Sequence, residues 1–195
     1  SHFAGKDLEL LWAAANQAAI SIENARLYKS EVEKQKIERD LDLARKIQQG
    51  LLPQCIPNMI GLDICGEMIP AMQVGGDYYD CITLSETKTG LCIADVSGKG
   101  ISAAILMSNF QASLRALFTH DVDLEALVIK LNSIVTVNAA GEKFITFFVA
   151  RYDHESGTLE YINAAHNPPV LYDTVSGAVT HLKASCVGLG MLDEI

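Results

Sequence analysis

The sequence predicts an α+β sandwich with antiparallel sheets, preceded by one long helix. Residues from Asp7 to Gln49 contain no glycine or proline, which favours a single uninterrupted helix. After Pro53, short alternating apolar segments are separated by glycine-containing or charged turns, as in a β-rich domain. Only two helical segments interrupt the strands. Because the βαβ alternation of a parallel sheet is missing, the sheets are expected to be antiparallel.

The predicted first helix runs from Asp7 to Leu51 and is rich in Ala, Leu, Glu, Lys, Gln and Arg. At 1.5 Å per residue it would extend about 65 Å, more than a compact domain of this size needs. Its apolar residues recur at steps of three and four, which predicts a coiled-coil homodimer. The alternative is an amphipathic helix that packs on its own domain. The seam residues are Leu8, Leu11, Ala15, Ala18 and Ile22, then Ile37, Leu41, Ala44 and Leu51, with Gln48 at the remaining position.

Alternation and turn residues predict the later elements. The expected strands are Leu62–Ala71, Asp77–Leu84, Gly90–Asp95, Phe144–Tyr152, Thr158–Asn163, Pro169–Tyr172 and Val179–Leu182, and the expected helices are Ile101–Phe118 and Leu124–Asn138.

Composition excludes several classes of protein. The formal net charge of -9 argues against a nucleic-acid partner, which would require a basic face. No run of about 18 apolar residues occurs, so we expect no membrane span. Five cysteines without a C-x-x-C pair indicate a reducing, cytoplasmic environment and do not indicate a zinc site.

The first candidate loop runs from Val74 to Asp80 and contains Gly75 and Gly76, which allow a close backbone approach. Asp77 lies at a strand entrance, where its carboxylate can face a cation. Asp80, three residues further on, is expected on the opposite face of the strand. An ordinary glycine turn capped by Asp77 is the alternative.

The second loop, Ile93 to Gly100, follows an apolar strand and opens the next helix. Asp95 is costly at such a strand end unless a cation or hydrogen-bond donors receive it. A Walker A site is excluded, because Ile93 and Gly100 occupy the positions that require glycine and Ser or Thr. The alternative is that Asp95 and Ser97 cap the helix.

The third loop, Tyr161 to Pro169, carries polar residues between two strands, and its proline pair stops sheet pairing. A structural role is expected for His166, because no Ser–His–Asp or H-E-x-x-H pattern surrounds it.

Together these loops resemble the SpoIIE/RsbU branch of the metal-dependent PPM serine/threonine phosphatases. The matching motifs are Leu41-x-x-Ala44-Arg45-x-Ile47-Gln48-x-x-Leu51-Leu52-Pro53, Gly75-Gly76-Asp77-Tyr78-Tyr79-Asp80, Asp95-Val96-Ser97-Gly98-Lys99-Gly100-x-x-Ala103-Ala104, Phe144-x-Thr146 and Asn163-Ala164-Ala165-His166-Asn167-Pro168-Pro169. Leu10 to Tyr28 resembles the closing helix of a GAF sensor domain. The resemblance divides the chain into 1–28 (end of a GAF-like domain), 29–52 (helical linker) and 53–195 (N-terminal portion of a PPM-type αββα sandwich).

The resemblance implies two Mn²⁺ or Mg²⁺ ions that activate a water for attack on phosphorus. Asp95 would bridge both ions, while the Val96 carbonyl and Asp77 would serve one of them. The implied substrate is a phosphoserine or phosphothreonine on a regulatory protein, such as an anti-sigma-factor antagonist. The family's later acidic ligands are expected beyond Ile195, so we expect this chain alone to be inactive. Two alternatives stay open: a catalytically inactive docking and dimerisation module, and a hydrolase of small phosphoesters.

Overall fold

The computed structural model describes residues 5–54, 61–70 and 72–195. The chain forms two compact units, residues 1–44 and 45–195. The first helix, α1, spans Gly5–Leu51, which confirms the predicted long helix to within two residues. Its residues up to Ala44 make up the described part of the first unit. Those from Arg45 onward belong to the second unit.

A four-stranded antiparallel sheet forms the centre of the second unit. Its strands are β1 (Tyr78–Thr83), β2 (Lys88–Val96), β3 (Ile145–Asp153) and β4 (Thr158–Ala164), in the spatial order β1-β2-β3-β4. Two further strands, β5 (Val170–Tyr172) and β6 (Val179–His181), pair as a separate antiparallel hairpin. The α+β class and the antiparallel pairing are confirmed.

Two helices, α2 (Ile101–Leu117) and α3 (Leu124–Ala139), cover one face of the sheet. Their apolar faces were expected from the spacing of three and four residues, and they form the core with inward-facing strand residues. Phe110 of α2 contacts Tyr78 and Phe147 edge-on, with ring centroids 6.3 and 5.0 Å apart. This packing fixes β1 and β3 against the helix that follows the second candidate loop.

The prediction of a strand over Leu62–Ala71 is wrong for the part that the structure describes. Residues 61–70 contain one isolated bridge position, at Leu62, and no strand. Burial still tends to alternate there, which explains the prediction. Alternation alone does not supply a partner strand, and the Gly66 carbonyl instead accepts a hydrogen bond from the Tyr79 hydroxyl at 3.0 Å.

Asp80 points into the core side of the sheet, and its side chain is buried. Arg115 of α2 donates to both of its carboxylate oxygens, at 2.7 and 2.9 Å. The Tyr78 hydroxyl donates to the same carboxylate. Burial, followed by the neighbouring Cys92 and Asp80, raises the pKa of Tyr78, so its hydroxyl keeps the proton it donates. This network ties β1 to α2.

We therefore expect Asp80→Asn to lower the free energy of unfolding by about 2 kcal/mol, below the usual cost of breaking a buried pair because Arg115 is half exposed. Urea denaturation measures the change. Asp121→Asn, on an exposed side chain, is the matched control and should change stability by about 0.5 kcal/mol or less. Equal effects from both substitutions would show that the Asp80 network contributes nothing to stability.

Within the described ranges, no helix combines the length and the apolar content that a membrane crossing requires.

Candidate active site

Asp77 and Asp95 lie next to each other on the face of the sheet that α2 and α3 do not cover. In the antiparallel register of β1 and β2, Tyr78 pairs with Ala94. Continuing that register by one residue places Asp77 beside Asp95. Side chains alternate across a strand, so Tyr78 and Ala94 are buried while the two carboxylates are exposed. The structure thus brings together the two acidic residues that the sequence singled out.

The two neighbouring carboxylates affect each other's electrostatics. The pKa of Asp77 is raised, first by partial burial and then by the charge of Asp95 and a hydrogen bond between the two side chains. The neighbouring His166 acts in the opposite direction, but its effect is smaller. A divalent cation between the two carboxylates would remove this repulsion.

Thr146 and His166 continue the same row across the sheet. Thr146 pairs with Asp95 in the register of β2 and β3, and its hydroxyl hydrogen-bonds His166 Nδ1 at 2.8 Å. The backbone N–H of His166 donates to Asn163 Oδ1 at 2.8 Å. Burial lowers the pKa of His166, and the charge of Asp77 opposes that shift. His166 therefore has the structural partners expected of it, and it also faces the carboxylate pair.

Asp77, Asp95 and His166 open onto a cavity of about 200 Å³. Glu67 adds a third carboxylate to its lining, a residue that sequence reasoning missed because it lay in the wrongly predicted strand. Even so, no cluster of three or more His, Cys, Asp or Glu side chains in the described ranges is arranged to hold a metal ion. The cavity is lined by Glu67, Met68, Ile69, Asp77, Tyr78, Tyr79, Ile93, Ala94, Asp95 and His166.

Gly76 brings the first loop into contact with Val96. The Val96 N–H donates to the Gly76 carbonyl at 3.3 Å. A Cβ added at Gly76 would lie 2.9 Å from both the Val96 carbonyl oxygen and its Cβ, closer than real side chains approach. Glycine is therefore required here, and it holds Asp77 close to the Val96 carbonyl.

The second loop is fixed by Ser97, whose role differs from the helix cap considered above. The first residue before α2 is Gly100, and no side chain caps the helix there. Instead, Ser97 N–H donates to the Phe144 carbonyl, and Phe144 N–H donates to Ser97 Oγ, both at 2.9 Å. Lys143 Nζ donates to the Ser97 carbonyl at 3.0 Å. These bonds hold the turn after Asp95 against the start of β3.

The donor set fits a hard divalent cation. Two carboxylates and a backbone carbonyl are the oxygen ligands that Mg²⁺ and Mn²⁺ take in proteins. The adjacency of Asp77 and Asp95, and the close approach of Gly76 to the Val96 carbonyl, provide such ligands at one end of the β1–β2 pair.

Comparison with known proteins identifies the family of the chain. The family model described as Stage II sporulation protein E (SpoIIE) matches residues 85–195. The chain is 32% identical over 160 residues to the phosphoserine phosphatase RsbU of Bacillus subtilis, covering 82% of this chain and 48% of RsbU. It is 27% identical over 162 residues to the phosphoserine phosphatase RsbP of the same organism, covering 81% of this chain and 40% of RsbP.

Among solved structures, the SiaA-PP2C domain of Pseudomonas aeruginosa superposes with a TM-score of 0.58 at 18% identity, covering 82% of this chain and 65% of that domain. This likeness shows a shared fold. The chain spans about half the length or less of the curated relatives it matches. From the family model that covers more than half of its residues, the chain belongs to the SpoIIE family and carries a SpoIIE/RsbU-type PPM phosphatase domain.

Proposed function

We propose that the full-length protein hydrolyses phosphoserine or phosphothreonine on a regulatory protein, using Asp77, Asp95 and the Val96 carbonyl to hold divalent cations. The side-by-side placement of Asp77 and Asp95 at a cavity is the observation that carries this proposal. Two relatives named phosphoserine phosphatases support the choice of reaction. The proposed substrate is a phosphorylated regulatory protein, such as an anti-sigma-factor antagonist, in line with the family resemblance of the loop motifs.

Mn²⁺ or Mg²⁺, when bound, would polarise a phosphoryl oxygen and lower the pKa of a bound water. The chain's own contribution is to place the ligands. Asp95 offers its carboxylate at the end of β2, Asp77 faces it from the entrance of β1, and Gly76 allows the close approach to Val96. Ser97, Phe144 and Lys143 keep the turn after Asp95 in place.

Two carboxylates are fewer ligands than two divalent cations need. Because no group of three or more His, Cys, Asp or Glu side chains in the described residues is arranged to hold a metal ion, we expect residues 1–195 alone to bind a second ion weakly and to turn over little phosphoester.

The substrate class is tested by comparing a phosphoserine peptide with p-nitrophenyl phosphate in the presence of Mn²⁺. We expect kcat/KM to be at least about 100-fold higher for the peptide, because contacts remote from phosphorus contribute transition-state binding. Similar values for both compounds would favour the small-phosphoester hydrolase. No hydrolysis of either by the full-length protein would favour the docking module.

We further propose that the first unit forms a homodimer through α1. Many apolar side chains of this helix are exposed, among them Leu11, Trp12 and Ile22. We take the proposed seam to be shorter than the sequence predicted, because Gln48 is buried inside the second unit and is therefore not available to a partner helix. The proposed seam therefore ends at Ala44.

Leu41→Glu should weaken the dimer by at least about 100-fold, because a buried unpaired charge costs several kcal/mol. Leu43→Glu is the matched control: Leu43 is exposed, and two residues from Leu41 it projects to a different side of the helix. Light scattering over a concentration series gives the mass. A monomer at tens of micromolar protein, or equal effects from both variants, would contradict the proposed seam.

A further inference from the structure

Gln48 is a buried polar residue on a helix whose described side chains are mostly exposed. It lies in the last turn of α1 and is 5% exposed, while its neighbours Ile47 and Gln49 are exposed. Its side-chain amide pairs with the backbone of Gly75: Nε2 donates to the Gly75 carbonyl at 2.7 Å, and the Gly75 N–H donates to Oε1 at 3.0 Å. Both hydrogen-bonding ends of a buried amide are thus satisfied by one residue, which fixes its orientation.

Gly75 is two residues before Asp77. Gly76, which lies between them, contacts Val96. Gly76 packs against Val96 so closely that a Cβ would not fit, and its carbonyl accepts from the Val96 N–H. The segment Gly75–Asp77 therefore lies between Gln48 on one side and Val96 on the other. A shift of Gly75 would displace the Asp77 carboxylate from Asp95.

The helix end that carries Gln48 is itself fixed within the second unit. Gln111 of α2, 8% exposed, donates from Nε2 to the Leu51 carbonyl at 3.3 Å. Leu52 packs against the core cluster. Gln48 therefore reaches Gly75 from a fixed support.

We propose that Gln48 is a positioning residue that holds Asp77 in register with Asp95 and the Val96 carbonyl through the backbone of Gly75. The role of Asp77 as a metal ligand rests on the proposed function. The hydrogen-bonded link from Gln48 to Gly75 does not.

Amide hydrogen exchange in the metal-free chain, followed by NMR, tests the link directly. Gln48→Met keeps the length of the side chain and removes both bonds. Exchange should become about tenfold faster at the Gly75 N–H, which loses its acceptor. It should also become faster at the Val96 N–H, which contacts Gly76 and not Gln48. The amide of Val149, in the middle of the sheet, should keep its wild-type rate, because the fold as a whole is retained.

Two controls separate positioning from a general loss of stability. Gln49→Met makes the same chemical change on an exposed side chain of the same turn and should alter none of these rates. Asn132→Leu removes another buried amide, whose hydrogen bonds are to Gly190, Leu192 and Asp193 and not to Gly75 or the end of α1, and it should leave the Gly75 rate unchanged. If Gln48→Met does not fold, Gln48→Glu replaces it. That variant keeps the acceptor for Gly75 N–H but places a carboxylate against the Gly75 carbonyl, so faster exchange at Val96 is again expected.

A second experiment measures Mn²⁺ binding to the full-length protein. The Mn²⁺ dissociation constant, measured by calorimetry, should rise about 10- to 100-fold in Gln48→Met, as for partners that orient metal ligands. The Mn²⁺ concentration for half-maximal phosphopeptide hydrolysis should rise in parallel, with kcat largely recovered at saturating Mn²⁺.

Unchanged exchange at Val96, or an unchanged Mn²⁺ dissociation constant, would overturn the positioning role even in an active phosphatase. Weaker Mn²⁺ binding and faster exchange in a protein that hydrolyses no phosphoester would leave the role of Gln48 standing and overturn the proposed function instead.

Discussion

Asp95→Asn should lower kcat for Mn²⁺-dependent phosphopeptide hydrolysis by about a thousandfold or more in the full-length protein. The substitution keeps the shape of the side chain but removes the charge from the proposed shared ligand. Stabilisation of phosphoryl charge by metal ions is worth several kcal/mol, and each 1.36 kcal/mol is tenfold in rate. Phosphate release under saturating Mn²⁺ measures the effect.

The control for this variant is Asp121→Asn, which makes the same change on an exposed carboxylate outside the site and should keep wild-type kcat. Asp95 is itself exposed and its charge repels that of Asp77, so the variant should unfold at a denaturant concentration no lower than that of the wild type. A folded Asp95→Asn protein with normal turnover would contradict the assignment of Asp95.

Asp77→Asn should raise the Mn²⁺ requirement about 100-fold while allowing part of the activity to return at high Mn²⁺. Its proposed contact is with one ion only, so added metal can compensate by mass action. A Mn²⁺ titration of phosphopeptide hydrolysis checks this. Complete loss without any rescue would place Asp77 in the same role as Asp95.

The same variant should be more stable than the wild type in the absence of metal at neutral pH. The pKa of Asp77 is raised above its ordinary value of 3.8, so the folded chain holds this proton more tightly than the unfolded chain does. As the pH rises from below 3.8 through the higher pKa of the folded chain, Asp77 becomes charged and the free energy of unfolding falls. Above the folded pKa the full loss of stability is present. Asparagine is not charged at neutral pH, so the variant does not lose this stability.

Thermal unfolding in a chelating buffer at two pH values measures the difference. The stability advantage of Asp77→Asn at pH 7 should disappear below about pH 3, where both states of the wild type are protonated. An advantage of the same size at both values would show that the carboxylate charge is not its cause.

Local patterns were sufficient to predict the residues at strand ends. Asp77 and Asp95 are polar at the borders of apolar alternating segments, and the register of β1 and β2 then brings them together. The two helices and six of the seven strands followed from periodicity in the same way. The segment at Leu62 was mispredicted because alternation carries no information about a pairing partner.

Contacts between distant residues could not be predicted in this way. Gln48 and Gly75 are 27 residues apart, and Asp80 and Arg115 are 35 apart. The spacing of apolar residues placed Gln48 in the predicted coiled-coil seam. In the structure it is instead buried against Gly75 within the second unit. For Asp80, alternation gave the correct face of the strand but not the arginine that meets it there.

Anomalous diffraction from crystals of the full-length protein containing Mn²⁺ would show whether Asp77, Asp95 and the Val96 carbonyl bind the same divalent cation. We expect an anomalous peak between the two carboxylates and next to the Val96 carbonyl, at coordination distances of about 2.0–2.6 Å. This peak should be lost in Asp95→Asn crystals. Mn²⁺ bound elsewhere, with no peak at Asp77 and Asp95 at a concentration that supports hydrolysis, would show that these residues do not hold the cation that hydrolysis requires.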